Sequence, residues 1–294
     1  MNPARIRWLM LMFALLFVAH RASAFETMTV SIPSTAMHKS FDATIVLPDE
    51  YTHGRPDARY PVVYLLHGSG GDNTDWTSNT HIGRLADRYH LIFVMPDGGR
   101  ESWYIDSPID PQSRYETYVG EEVVAYVDAH WRTIATKAGR AITGLSMGGF
   151  GALSIALDRP GAFGAAGSIS GAVDPRSVMN EPGIDDVFGD PTVHAAFWDS
   201  KAIVASAPRF RHANIDLTIE CGVNDTFVDA NRTLHERLVE LGVPHDYAER
   251  PGGHTWAYWK NAIRYQMLFF ATSFRRHGVQ RASADQGPGG SPPV

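Results

Sequence analysis

The chain has 294 residues, 44% hydrophobic and 20% charged, a balance that excludes a disordered protein and a helical membrane bundle and fits one large globular domain. Its formal charge of −6 argues against nucleic acid as a partner. One cysteine, Cys221, excludes an intramolecular disulfide, so core packing alone must hold the fold.

Residues 1–24 read as a secretory signal peptide. Arg5 and Arg7 precede an apolar run from Trp8 to Ala19, and Ala22-Ser23-Ala24 offers small-residue cleavage spacing. The run is about a dozen residues, short of the roughly 20 that span a bilayer, so no stable membrane anchor is expected after cleavage. Removal would take Arg5, Arg7 and Arg21 with it and leave 23 basic against 32 acidic residues, a charge of −9. A secreted or periplasmic bacterial protein is the expected setting.

Residues 27–32 and 41–47 gather β-formers around a polar turn, which predicts an antiparallel hairpin at a sheet edge. Strand then alternates with helix: a strand over 61–66, a helix over 82–89, a continuous apolar strand over 91–95, and a helix over 115–131. A strand over 140–144 runs into a helix starting near Ser146. Strands follow over 163–170 and 215–221, then a helix over 228–241, a strand over 245–249 and a last helix over 256–275. The reading is a doubly wound α/β domain over 25–277, with a mostly parallel central sheet and helices on both faces. Residues 171–207 break the rhythm and are expected to form a cap insertion. Residues 278–294, rich in Gly, Pro and Ser, are expected to be a disordered tail. Cys221 falls in the apolar strand 217–221 and is read as a buried core residue rather than a reactive thiol.

Gly144-Leu145-Ser146-Met147-Gly148 sits where the strand Ala141-Ile142-Thr143 meets a helical run, the context in which G-x-S-x-G exposes a serine nucleophile. Attack on an ester carbonyl creates an oxyanion, which needs two backbone N–H donors. Met147 follows the nucleophile and supplies one. The loop His67-Gly68-Ser69-Gly70-Gly71, after an earlier strand, supplies the other through Ser69, with Gly70 as the alternative. The acid must follow the serine in the chain and the base must follow the acid. Asp225 lies on the loop after the 215–221 strand, whereas the alternative Asp229 is a turn into the next helix. Of the histidines His235, His245, His254 and His277, only His254, in Pro251-Gly252-Gly253-His254, is placed to reach Ser146.

These pieces, with Leu66-His67-Gly68, Asp75-Trp76, Pro96-Asp97-Gly98-Gly99, Ser102-Trp103-Tyr104, Tyr115-Glu116-Thr117, Cys221-Gly222-Val223-Asn224-Asp225 and Gly253-His254-Thr255-Trp256, resemble the esterase D family of α/β-hydrolases. That group holds S-formylglutathione hydrolases, feruloyl, acetylxylan and tributyrin esterases, and mycolyltransferases. The resemblance spans residues 41–274 and implies the α/β-hydrolase fold. It also implies a serine carboxylesterase acting on short-chain or aryl esters, small or saccharide-linked. Trp103, Tyr104 and Trp256 resemble substrate-pocket walls, plain aromatic core being the alternative. Glu116 and Glu121 match family positions, but acids early in a helix need no role beyond its dipole, and they stay outside the candidate site. No His/Cys/Asp cluster has metal-ligand spacing, so no metal or other cofactor is expected. Two rival functions remain: an acyltransferase with the same triad and a sugar or other alcohol as acceptor, and a non-catalytic binding protein on a hydrolase fold.

Overall fold

The computed structural model describes residues 25–181 and 183–279. The expected signal peptide and all but two residues of the expected tail lie outside them.

The hairpin of β1 (Glu26–Ser34) and β2 (Lys39–Leu47) is antiparallel and forms one sheet edge, as its alternation predicts. β2 then pairs antiparallel with β4 (Ile92–Pro96), which lies beside β3 (Val62–Leu66). From β4 onward every pairing is parallel, through β5 (Arg140–Gly144), β6 (Ala165–Ile169), β7 (Asp216–Gly222) and β8 (Asp246–Arg250). The eight strands run in the order β1-β2-β4-β3-β5-β6-β7-β8. The central strands are buried along their length, which explains why their sequences read as unbroken apolar runs. Cys221 is buried on β7, where desolvation pushes its thiol up to about 12.

Seven helices concern the site and its surroundings: α1 (Asp75–Asn79), α2 (Ile82–Tyr89), α3, α4 (Met147–Asp158), α5 (Ala195–Lys201), α6 (Val228–Glu240) and α7 (Trp256–Arg276). α3 is three abutting segments, Tyr115–Thr117, Tyr118–Val123 and Val124–His130, the middle one π-helical where a plain helix was expected. Three acids tie α3 to its surroundings, Glu116 and Glu121 sharing Arg159. Glu122 accepts from the Ser34 hydroxyl (2.6 Å) and the Thr35 and Ala36 N–H groups (2.8 and 2.9 Å), clamping the β1–β2 turn. Glu121 pairs with Arg159 at 2.6 Å. Glu116 is buried and pairs with Arg159 at 3.1 Å and with Lys201 at 2.5 Å.

Lys201 belongs to the segment between β6 and β7, which folds into short helical turns and α5. Its ammonium also holds Asp158, the last residue of α4, at 2.7 Å, and Arg209 closes on the same carboxylate at 2.7 Å. Burial alone would lower the Lys201 ammonium, but Glu116 and Asp158 outweigh it and hold it above its ordinary range. Aromatic packing is the second attachment: Phe188 lies 4.5 Å from Trp198 and 6.0 Å from Trp103, which meets Phe150 of α4 at 5.7 Å. Removing one member of a buried charge cluster strands the others, so Lys201→Met should cost about 3–5 kcal/mol. Lys201→Met with Glu116→Met should recover part of that loss. Urea unfolding midpoints of the two variants measure it, and a single variant as stable as wild type would contradict the clamp.

At the other end of the chain, α7 does not give way to tail at Gly278. That residue turns with φ +71°, and Val279 folds back, buried, with its N–H on the Phe274 carbonyl at 2.9 Å.

Candidate active site

Ser146 stands between β5 and α4 at φ 54°, ψ −122°, a left-handed value that only close packing on every side can hold for a residue with a side chain. Glycine supplies that packing. A methyl group on Gly148 would lie 2.5 Å from the His67 carbonyl oxygen and 2.6 Å from that of Leu66. One on Gly68 would lie 2.7 Å from the Leu145 side chain and 3.4 Å from Ser146 Cβ. The turn carrying the serine and the loop after β3 are therefore in backbone contact.

His254 follows β8 on its glycine loop and faces Ser146: Nε2 lies 2.9 Å from Oγ. Its Nδ1 lies 3.0 Å from both carboxylate oxygens of Asp225, on the loop after β7. The Asp225 side chain is fully buried and that of His254 is 28% exposed, so the ion-pairing end is dry and the serine end is open. Burial alone would raise the Asp225 carboxyl; bonds from His254 and the Phe227 N–H (2.9 Å) overcome it and hold the group below its ordinary range. Asp225 thus stays ionised and fixes the proton of His254 on Nδ1, leaving Nε2 to accept from Ser146. Asp229, the alternative acid, has a side chain 90% exposed and pairs with Arg232 instead. His235 and His245 bond each other at 2.8 Å, and His277 pairs with Asp216 at 3.2 Å.

In the loop after β3 the Gly70 N–H donates to the Arg100 carbonyl at 2.7 Å and that of Gly71 to the Gly68 carbonyl at 3.1 Å. Gly70, the alternative donor, is thereby spent. The N–H groups of Ser69 and Met147 have no acceptor among the described residues, and both residues line the pocket beside Ser146. His67 braces this loop from below. Its Nε2 accepts from the Gly98 N–H at 2.9 Å, so Nδ1 carries the proton and donates to the Gly68 carbonyl at 2.8 Å.

The pocket holds about 480 Å³. Trp103 and Trp256 line it, but Tyr104 does not. Tyr104 is fully buried under the loop and donates its hydroxyl to the His67 carbonyl at 3.2 Å, so the expectation that it contacts substrate is corrected to a support for the Ser69 loop. The reason is local. Trp103 and Tyr104 both sit at φ 54°, stapled by the Ser102 hydroxyl, which donates to the Gly98 carbonyl and accepts the Tyr104 N–H at 3.0 Å. Trp259 and Phe227 also line the pocket, at 4.9 and 5.2 Å from the His254 ring, and the sequence reading missed both. The three-residue spacing of Trp256 and Trp259 on α7, directly after His254, was a usable signal for one of them.

The segment between β6 and β7 supplies Val178, Glu181, Gly183 and Ile184 as a further wall. Three carboxylates, Asp75, Glu101 and Glu181, face the pocket, and among the described residues no Lys or Arg lines it. Burial raises the Asp75 carboxyl, whereas Glu101 accepts the Ser69 hydroxyl at 2.8 and 2.9 Å. Among the described residues no group of three His, Cys, Asp or Glu is arranged to hold a metal.

Residues 34–270 match the Esterase family, described as "Putative esterase". The chain belongs to the Esterase family. It is 35% identical over 244 residues to Esterase Rv1288 of Mycobacterium tuberculosis, a match covering 72% of this chain and 52% of that one. The chain thus spans about half the length of that relative. It is 26% identical over 257 residues to an acetyl esterase of Caldicellulosiruptor saccharolyticus, covering 80% and 94% of the two chains. Among solved structures, the Staphylococcus aureus fluorophosphonate-binding serine hydrolase FphF superposes with a TM-score of 0.76 at 24% identity, covering 84% of this chain and 99% of that chain. The eight-stranded sheet of this chain is accordingly that of the α/β-hydrolase fold.

Proposed function

We propose that this esterase is an exported serine carboxylesterase in which Ser146, His254 and Asp225 are the catalytic triad. The observation that carries the reading is the unbroken hydrogen-bonded chain from Ser146 Oγ through His254 to buried Asp225. His254 Nε2 takes the hydroxyl proton as Oγ bonds to the ester carbonyl carbon, and the carbonyl electron pair moves onto its oxygen. The free N–H groups of Ser69 and Met147 receive that oxyanion, each worth roughly 3 kcal/mol of barrier. Collapse breaks the ester bond, and His254 returns the proton to the leaving alcohol. Water, deprotonated by the same imidazole, then releases the acid and restores Ser146.

Trp103, Trp256, Trp259 and Phe227 suit a short acyl chain or an aryl ring. The three facing carboxylates favour esters that are neutral or cationic near the reacting carbon over anionic ones. Export rests on the leader at residues 1–24.

A fluorophosphonate probe with a p-nitrophenyl ester panel (acetate, butyrate, octanoate, ferulate, hemisuccinate) tests the reading. One label per chain on the Ser146 peptide, with hydrolysis lost in parallel and the hemisuccinate poorest, is expected. Labelling elsewhere, or hydrolysis that survives full labelling, would sink it. Product analysis with a sugar acceptor present separates hydrolysis from acyl transfer.

A further inference from the structure

A second concavity of about 610 Å³ lies between α2 and α7, and its lining carries one sign of charge. Arg84 and Arg88 face it from α2, Lys260 and Arg264 from α7, and His81 from the α2 N-terminus, while among the described residues no carboxylate lines it. All four cations are exposed, and among the described residues none makes an ion pair; the one recorded contact is Arg88 over the Tyr89 ring at 5.7 Å. On a chain of net charge −6 this concentration runs against the average. It also runs against helix stability, because like charges four residues apart repel and both helices carry such a pair facing the same groove.

We propose that this groove is a binding site for an acidic oligosaccharide. Within each helix the two cations are one turn, about 6 Å, apart, so the groove presents several separate positive charges, which suit the repeated carboxylates of a chain of uronic acids. Asn79 and Asn261 lie among the cations, with Ser78 and Thr80 at one end, and these amides and hydroxyls suit the hydroxyls of a sugar. Nucleic acid fits poorly, since among the described residues no Phe, Tyr or Trp lines the groove to stack a base. A lipid surface fits poorly too: the two apolar lining residues, Leu85 and Ile263, are half-buried and buried and offer nothing to insert.

α1 separates the two concavities, with Asp75 on the pocket and Ser78 and Asn79 on the groove, and Trp76 meets Trp256 of the pocket wall at 5.4 Å. A glycan held by its carboxylates in the groove would present an uncharged, acylated unit to the acidic pocket. Binding in the groove is independent of the hydrolytic reading and is tested apart from it.

The test is calorimetric titration of the full chain with hexagalacturonate, with cellohexaose as the neutral counterpart and tripolyphosphate as a charge-only probe. Hexagalacturonate should bind at least about tenfold more tightly than either, and its affinity should fall as salt is added. Arg84→Glu with Arg264→Glu should lose at least about tenfold in affinity, and the milder Arg88→Gln with Lys260→Gln an intermediate amount, both with p-nitrophenyl acetate turnover unchanged. Unaltered binding by the two variants would overturn the site. Tripolyphosphate binding as tightly as hexagalacturonate, or cellohexaose doing so, would overturn the ligand class.

Discussion

Ser146→Ala is expected to lower kcat on p-nitrophenyl esters by about 10⁶-fold, because the serine and its base act as one unit and loss of either removes the covalent route. Residual catalysis of roughly 10³–10⁴-fold over water should remain from the oxyanion donors and binding. KM should change little, since the alanine keeps the Cβ and removes only the oxygen that faces His254. The strain at φ 54° stays in the variant, so its unfolding midpoint reports whether the turn itself is intact. Wild-type turnover by this variant would move the nucleophile elsewhere.

Asp225→Asn is expected to cost about 10⁴-fold in kcat with the geometry preserved. Oδ1 of Asp225 accepts the Phe227 N–H, so an asparagine keeps its oxygen there and places its amide nitrogen at the Oδ2 position, which lies 3.0 Å from His254 Nδ1. An amide donor facing Nδ1 forces the proton onto Nε2, the atom that has to accept from Ser146. Activity should not recover on raising the pH, because the defect lies in the tautomer and not in the ionisation of the imidazole. Asp229→Asn, altering an exposed side chain, should remain within about twofold of wild type. Steady-state kinetics of the two variants side by side would reverse the assignment if Asp229→Asn proved the damaging change.

The chain order of serine, acid and base was legible because each sits at the carboxyl end of a strand whose apolar run is unmistakable, and a tight turn at such a place leaves few side chains able to reach the centre. The choice of Asp225 over Asp229 could be read the same way, since one turn of helix rotates Asp229 away from the sheet edge. Tyr104 could not be placed: Trp103 and Tyr104 are adjacent aromatics, and nothing in Ser102-Trp103-Tyr104 says which ring lines the pocket and which is buried under the Ser69 loop. Glu116 was passed over for a different reason. Its partner Lys201 is 85 residues distant in the chain, so an acid that serves a buried cluster looks like one serving a helix dipole. The π-helical turn in α3 was equally silent, because the apolar spacing around Tyr118 and Val123 is compatible with an ordinary helix.

The Glu116–Lys201–Asp158 cluster gives this protein a particular response to heat. Hydration of charged groups becomes less favourable as temperature rises, so keeping them out of water costs less, while apolar contact gains little more. The pocket wall that Lys201 anchors is held partly by charge and partly by the rings of Phe188 and Trp198. On warming, the share carried by charge grows, and the wall beside Ser146 keeps its footing at temperatures where ring packing alone would begin to let it drift.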